Sequence, residues 1–199
     1  MTDSMMFLCR AASAVLFLGA LSAQAWAEAP PGTYRYKIER GGSEIGRQTV
    51  VVGKDGDRTT VSDESVVKVK IAFITAYTFD HSRRETWQDG KLTALETRID
   101  DNGTKSTLTA KADGDQLVIK SPAGDSTQPL GIMPTGYWNA ATVKQTKLFH
   151  NETGKILNVT GAGGEAQTLD LGGGRKVEAK RWKLSGDDNI ELWYDSRDV

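Results

Sequence analysis

"ETWQDGKLTALETRIDDNGTKSTLTAKADGDQLVIK", residues 85–120, is the stretch whose reading sets the fold class. It contains the turn sequences "QDGK" (88–91), "DDNG" (100–103) and "DGDQ" (113–116). Each holds an Asp-Gly or Asn-Gly pair, the chemistry that supplies the positive φ angles of tight hairpins. The segments between such turns run to about 6–12 residues, which is strand length. A periodicity of 3.6 residues is not sustained anywhere after residue 27, so helices do not organise this chain.

The same rhythm extends in both directions, with "RGGSE" (40–44), "KDGD" (54–57), "SPAGD" (121–125), "NETG" (151–154), "GAGGE" (161–165), "GGGR" (172–175) and "GDDN" (186–189). Period-two patterning fills the gaps. "TYRYKIE" (33–39) puts Tyr34, Tyr36 and Ile38 on one face, and "NIELWY" (189–194) does the same with Ile190, Leu192 and Tyr194. Strands are expected at about 33–40, 44–53, 57–79, 83–89, 91–100, 104–112, 115–120, 145–150, 154–160, 165–170, 175–185 and 189–194. "ESVVKVKIAFITAYTFDHSRRETW" (64–87) carries the longest pattern, with Val67, Val69, Ile71, Phe73, Thr75, Tyr77 and Phe79 on one face. It reads as one long bent strand or as strand, short loop and strand. The expectation is all-β: a single domain over 28–199, built as a large curled antiparallel meander that is open or closed like a barrel.

Residues 1–27 stand apart. The apolar run "AASAVLFLGALSA" (11–23) precedes the small-residue patterns "AQA" and "AWA", the layout of a secretory signal peptide cleaved near Ala27. About 13 apolar residues fall short of the roughly 18–20 that span a bilayer, so stable membrane insertion after cleavage is not expected. Cys9 is the only cysteine and lies in that segment. Residues 28–199 therefore carry no disulfide, thiolate nucleophile or cysteine metal site, and export without disulfides fits a bacterial periplasm. The net charge of −1 argues against nucleic acid, and against an anionic membrane surface as the main partner.

One interruption breaks the strand rhythm: "GIMPTGYWNAATVKQ" (131–145). Pro134 excludes a strand interior, Thr135 is placed as an N-cap, and a short helix is expected near 134–142. It reads as a plug over the mouth of a curved sheet or as a ligand lid, with Tyr137, Trp138 and Asn139 at the contact. Ionisable residues concentrate in "DHSRRETW" (80–87), where Asp80, His81, Arg84 and Glu85 form a polar cluster without an assigned role. A charged, solvated strand end accounts for it, with Arg83 and Arg84 pairing to Glu85 or nearby acids. No Gly-x-Ser-x-Gly elbow accompanies His81. His81 and His150 lack metal-ligand spacing, so no metal or cofactor is expected.

With these residues in view, the chain resembles a family of exported proteobacterial proteins known only as a domain of unknown function. The resemblance rests on "YRYKIERGGSEIGRQTV", "VKIAFITAYTFDHSRRETWQDGKL", "IDDNGT", "YWNAATV", "NETGK" and "LSGDDNIELWYD". In architecture it also resembles the periplasmic lipoprotein carriers LolA and LolB, which implies a hydrophobic groove and supplies no catalytic residue. The chain stops at "WYDSRDV" (193–199), where a turn would lead into a further strand. The leading expectation is a non-enzymatic periplasmic binder of an apolar or amphipathic, lipid-like ligand, contacted by Tyr77, Phe79, Tyr137, Trp138, Asn139 and Trp182. The rival is a structural or interaction protein of the envelope with a dry core. An enzyme using the 80–85 cluster stands third.

Overall fold

Paired left-handed residues at the hairpin turns decide the architecture. Asp89–Gly90 and Asn102–Gly103 have φ of 50° and 70°, and of 52° and 92°. Two consecutive positive φ values define the turns whose twist matches the strands they join. The structure, a computed structural model, describes residues 28–71 and 73–199. The expected signal peptide, 1–27, lies outside the described residues.

The first sheet holds β1 (Gly32–Arg40), β2 (Ser43–Asp55), β3 (Arg58–Ile71), β4 (Ile74–Gln88), β5 (Lys91–Asp101), β6 (Thr104–Asp113), β7 (Gln116–Lys120) and β8 (Ser126–Pro129). They lie side by side in chain order, every pair antiparallel. The second sheet is formed by β9 (Met133–Pro134), β10 (Lys147–Phe149), β11 (Ile156–Asp170), β12 (Lys176–Gly186) and β13 (Ile190–Asp195), in the order β13-β12-β11-β10-β9. Among the described residues only β9 and β10 run parallel. Among the described residues no ladder joins the edges of one sheet to the other, so the barrel-like wrap is not closed.

The two sheets share one core. Leu92, Leu108, Leu117 and Ile119 of the meander meet Leu148, Phe149 and Leu184 of the second sheet, all almost fully buried. Each such side chain contributes about 1.5–3 kcal/mol on burial. The all-β meander is as the turn chemistry predicts, and among the described residues no helix is long and apolar enough to cross a membrane.

Four local expectations are corrected. The strand expected over 57–79 is not one bent strand but the alternative, strand, short loop and strand: β3 ends at Ile71, and Phe73 lies in the turn before β4. "GAGGE" is no turn but the bulged middle of β11, where the register shifts between Gly163 and Glu165. An extra residue in one strand bends it without ending it. Residues 126–129 and 133–134 form short strands where the turn pattern predicts none. The helical segment is a 3-10 helix at Ala140–Lys144 rather than 134–142, because Pro134 pairs in β9 and Asn139, not Thr135, caps it. Asn139 Oδ1 accepts from the Ala141 N–H at 2.9 Å.

Gly161 lets this helix sit against β11, because a Cβ there would collide with the Val143 carbonyl oxygen. Gly161→Ala is expected to cost about 1–3 kcal/mol through overpacking, read as a lowered Tm. Gly131→Ala is the control: nothing lies within 4 Å of its Cβ position, and its stability should stay within about 0.5 kcal/mol of the parent, read as an almost unchanged Tm.

Candidate functional site

Alternation along β3 and β4 turns one residue in two toward the core. In β3 the inward positions are Thr59, Val61, Asp63 and Ser65; in β4 they are His81, Arg83, Glu85 and Trp87. The antiparallel register sets Asp63 directly opposite Arg83 and Ser65 opposite His81. Gln48 on β2 faces Ser65 from the other side. A row of polar side chains thus crosses three adjacent strands inside an otherwise apolar face.

The centre of that row is an ionic cluster. Arg83 Nη2 donates to Asp63 Oδ2 at 2.9 Å, and Arg83 Nε lies 2.7 Å from Glu85 Oε1. All three side chains are 2% exposed or less. The second contact is an ion pair without hydrogen-bond alignment, since neither atom makes a hydrogen bond. Glu85 Oε2 accepts from two indoles, Trp87 Nε1 at 2.7 Å and Trp138 Nε1 at 2.8 Å. Asp63 accepts from Gln48 Nε2 at 3.0 and 3.1 Å and from the Ser65 hydroxyl at 3.4 Å. One guanidinium between two carboxylates leaves a formal charge of −1, offset by four neutral donors.

Over this cluster folds the 135–139 segment. A Cβ on Gly136 would lie 3.0 Å from Arg83 Nη2 and 3.2 Å from Glu85 Oε1, so the chain passes tightly against the ion pair, which would have to give by a few tenths of an ångström to admit a side chain. Tyr137 has φ of 53°, and the Trp138 N–H donates to the Gly136 carbonyl at 2.8 Å. Positive φ at a bulky residue carries strain and persists only where the surroundings hold it. Here Tyr194 donates to the Tyr137 carbonyl at 2.8 Å, and Tyr137 donates to Asp188 Oδ2 at 3.2 Å. Burial, then the nearby Asp188 carboxylate, pushes the Tyr137 phenol well above its ordinary pKa.

Above the segment opens a cleft of about 270 Å³ between β1–β2 and β13. Tyr34, Tyr36 and Gln48 line one wall, Leu192 and Tyr194 the other, and Trp138 the floor. Trp138 stands edge-on to Trp87, with centroids 5.6 Å apart at 81°. The floor of the cleft is therefore tied by a single indole N–H to a carboxylate of the buried cluster.

The ligand residues expected from sequence separate. Tyr137 and Trp138 reach the cleft, whereas Asn139 is spent on the helix cap. Tyr77 and Phe79 lie half-buried toward the other end of β4 and do not line it. Trp182 packs on β12 with the Lys144 ammonium 4.2 Å from its ring centroid. The polar cluster also divides. Asp80 and Arg84 are exposed on the outer face, while His81 and Glu85 are buried. The strand end is thus not a solvated one: the expected pairing of Arg83 with Glu85 forms, but buried and with Asp63 as a second acid, while Arg84 stays outside. The signal that could have found them is parity: residues 81, 83 and 85 share a face with Trp87. Ser65 and His81 do not form a relay here: Ser65 donates to Asp63, and His81 Nε2 makes no hydrogen bond.

Two outcomes follow from this geometry. Arg83→Met leaves two carboxylates buried without their cation, and should cost about 3–5 kcal/mol, roughly 6–20 °C in Tm for a chain of this size. Burial, then the Arg83 charge, lowers the His81 pKa from 6.5 to about 4. The unfolded chain therefore takes up this proton first as pH falls. The stability supplied by neutral His81 is full above about 6.5 and is lost as pH falls toward about 4. In denaturant titrations across that window, His81→Phe should flatten the slope.

The fold is shared with a crystallised β-barrel-like protein of the domain of unknown function DUF1849 from Brucella abortus. The TM-score is 0.54 at 15% identity, covering 84% of this chain and 86% of that one. No curated protein matches. The family model of the domain of unknown function DUF6134 matches residues 36–199, from the second tyrosine of β1 through the cluster, the cleft and β13. The chain belongs to the DUF6134 family.

Proposed function

We propose that this protein is exported to the periplasm and there binds a small apolar or amphipathic ligand without catalysing a reaction. The cleft between β1–β2 and β13 carries the reading. Its walls are aromatic and aliphatic, with a few placed polar groups in the Gln48 amide and the phenols of Tyr36 and Tyr194. Ligand sites have that composition, and about 270 Å³ falls just below their usual size range, about 300–1,000 Å³, which suits a small ligand. Tyr36, 42% exposed, leaves the mouth open. Export is supported by the signal-peptide pattern of residues 1–27.

A second reading has its own observation. Trp87, Trp138 and Trp182 belong to the packed core, which favours an envelope protein whose aromatics serve stability. Native mass spectrometry of protein isolated from its own periplasm separates the two. A binder retains a bound small molecule, and Leu192→Trp, which fills the cleft from its wall, abolishes that adduct while Tm stays within a few degrees. A parent protein that flies at its bare mass beginning near Glu28, and takes up no added fatty acid, excludes the binder and leaves the second reading. Recovery of the uncleaved chain from cytosol excludes export.

A further inference from the structure

The β3–β4 hairpin outruns the sheet that carries it. β2 accompanies β3 only as far as the Gly46–Val67 pair, and β5 meets β4 only from the Phe79–Asp101 pair onward. Beyond those pairs, residues 68–71 and 74–78 are laddered to each other alone, with one further backbone bond from the Asn102 N–H to the Thr78 carbonyl. At about 3.3 Å per residue the projecting arm is on the order of 10–15 Å long.

Its end is apolar and open. Phe73 is 103% exposed and Ile74 73%, the two highest values among the large hydrophobic side chains that stand out on this surface. Behind them on β3 come Lys68 and Lys70, both exposed, paired across the hairpin with Thr78 and Thr75. The sequence from Ser65 through Phe79 contains no Asp or Glu. The whole chain carries −1, so residues 65–79 carry +2 on a protein of opposite net sign, with Asp101 of β5 against Tyr77 at the base of the arm.

We infer that the β3–β4 hairpin tip docks reversibly on an anionic lipid bilayer surface, with Phe73 and Ile74 entering the acyl boundary. The spacing suits that environment. Ile71 pairs with Ile74 at the tip, so Lys70 and Lys68 lie one and three residues behind that pair, about 3 and 10 Å along the strand; with the tip about 5–10 Å deep, Lys68 stands at headgroup level and the Lys70 ammonium reaches back to it. Lysine stems tolerate this position because the apolar stem lies along lipid while the charge stays wet, and each basic group near an anionic surface adds attraction. Lysines on an exposed strand edge discourage addition of a further strand, which leaves the lipid surface as the partner that the exposed apolar pair and the trailing cations fit. One hairpin turn is too small an anchor for permanent insertion, so the docking is weak and salt-sensitive. The near-neutral charge of the chain, which argues against an anionic surface on average, does not describe this arm.

The test is vesicle co-sedimentation of the processed protein. Phosphatidylcholine vesicles with about one third phosphatidylglycerol are compared with pure phosphatidylcholine, at about 0.1 M and 1 M salt. The expected result is binding to the anionic vesicles that weakens on neutral vesicles and at high salt. The double variant Phe73→Ser with Ile74→Ser should lose partitioning at least about tenfold with Tm unchanged, since both side chains are exposed. Lys68→Glu with Lys70→Glu should abolish the preference for phosphatidylglycerol. Neither pair touches the cleft, so adduct retention in native mass spectra should be the same as in the parent. Parent protein that stays in the supernatant with both vesicle types overturns the inference, as does an apolar-tip variant that binds like the parent.

Discussion

A buried guanidinium held between two carboxylates constrains everything around it. In a low-dielectric interior the desolvation of Arg83, Asp63 and Glu85 costs several kcal/mol per ion, and their mutual attraction offsets it only where the geometry is good. All three occupy inward positions of β3 and β4. A slip of one residue in either strand would carry its charges to the opposite face and bring apolar or mismatched groups inside. The cluster thus fixes register in the centre of the meander, where the alternating apolar positions would also accept shifted pairings. Its contribution lies more in specifying that register than in net stabilisation.

The same cluster joins two parts of the chain that are distant in sequence. Glu85 takes the Trp138 indole N–H, and Gly136 lies against the Arg83–Glu85 pair. Tyr194 from β13 then grips the Tyr137 carbonyl. The strained turn at Tyr137 is held from below by the first sheet and from the side by the second. That sandwiching keeps the edges of the two sheets apart at the cleft while the core behind them is closed. Lys144 over the Trp182 ring and Gly161 under Val143 secure the following 3-10 helix to β11 and β12.

Cleft and hairpin arm belong to one ladder. Gln48 lines the cleft and pairs with Ser65, and the β2–β3 ladder ends two pairs further on at Gly46–Val67. The arm starts there. A rigid register therefore links the wall of the cleft to the base of the projecting tip, so anything seated on the tip has a defined orientation relative to the cleft mouth.

How much of this was legible depends on the range of the forces involved. Asp-Gly and Asn-Gly turns act within four residues, so the sequence by itself determined the hairpins at Asp89–Gly90 and Asn102–Gly103, the strand periods and the all-β class. It also marked "PTGYWN" as the break in the rhythm, because Pro and Gly impose their backbone limits locally. It could not say that "GAGGE" bulges instead of turning, since that depends on the continuous β12 ladder alongside it. Between Arg83 and Arg84 as the buried arginine it offered parity with Trp87 and no more. That choice is one of parity, and parity was settled only when Trp87 and the cross-strand partner Asp63 fixed which face of β4 is inside. The pairing of Glu85 with Trp138, 53 residues apart, belongs to the tertiary structure alone: it exists because two sheets closed over one core, and no local pattern encodes that distance.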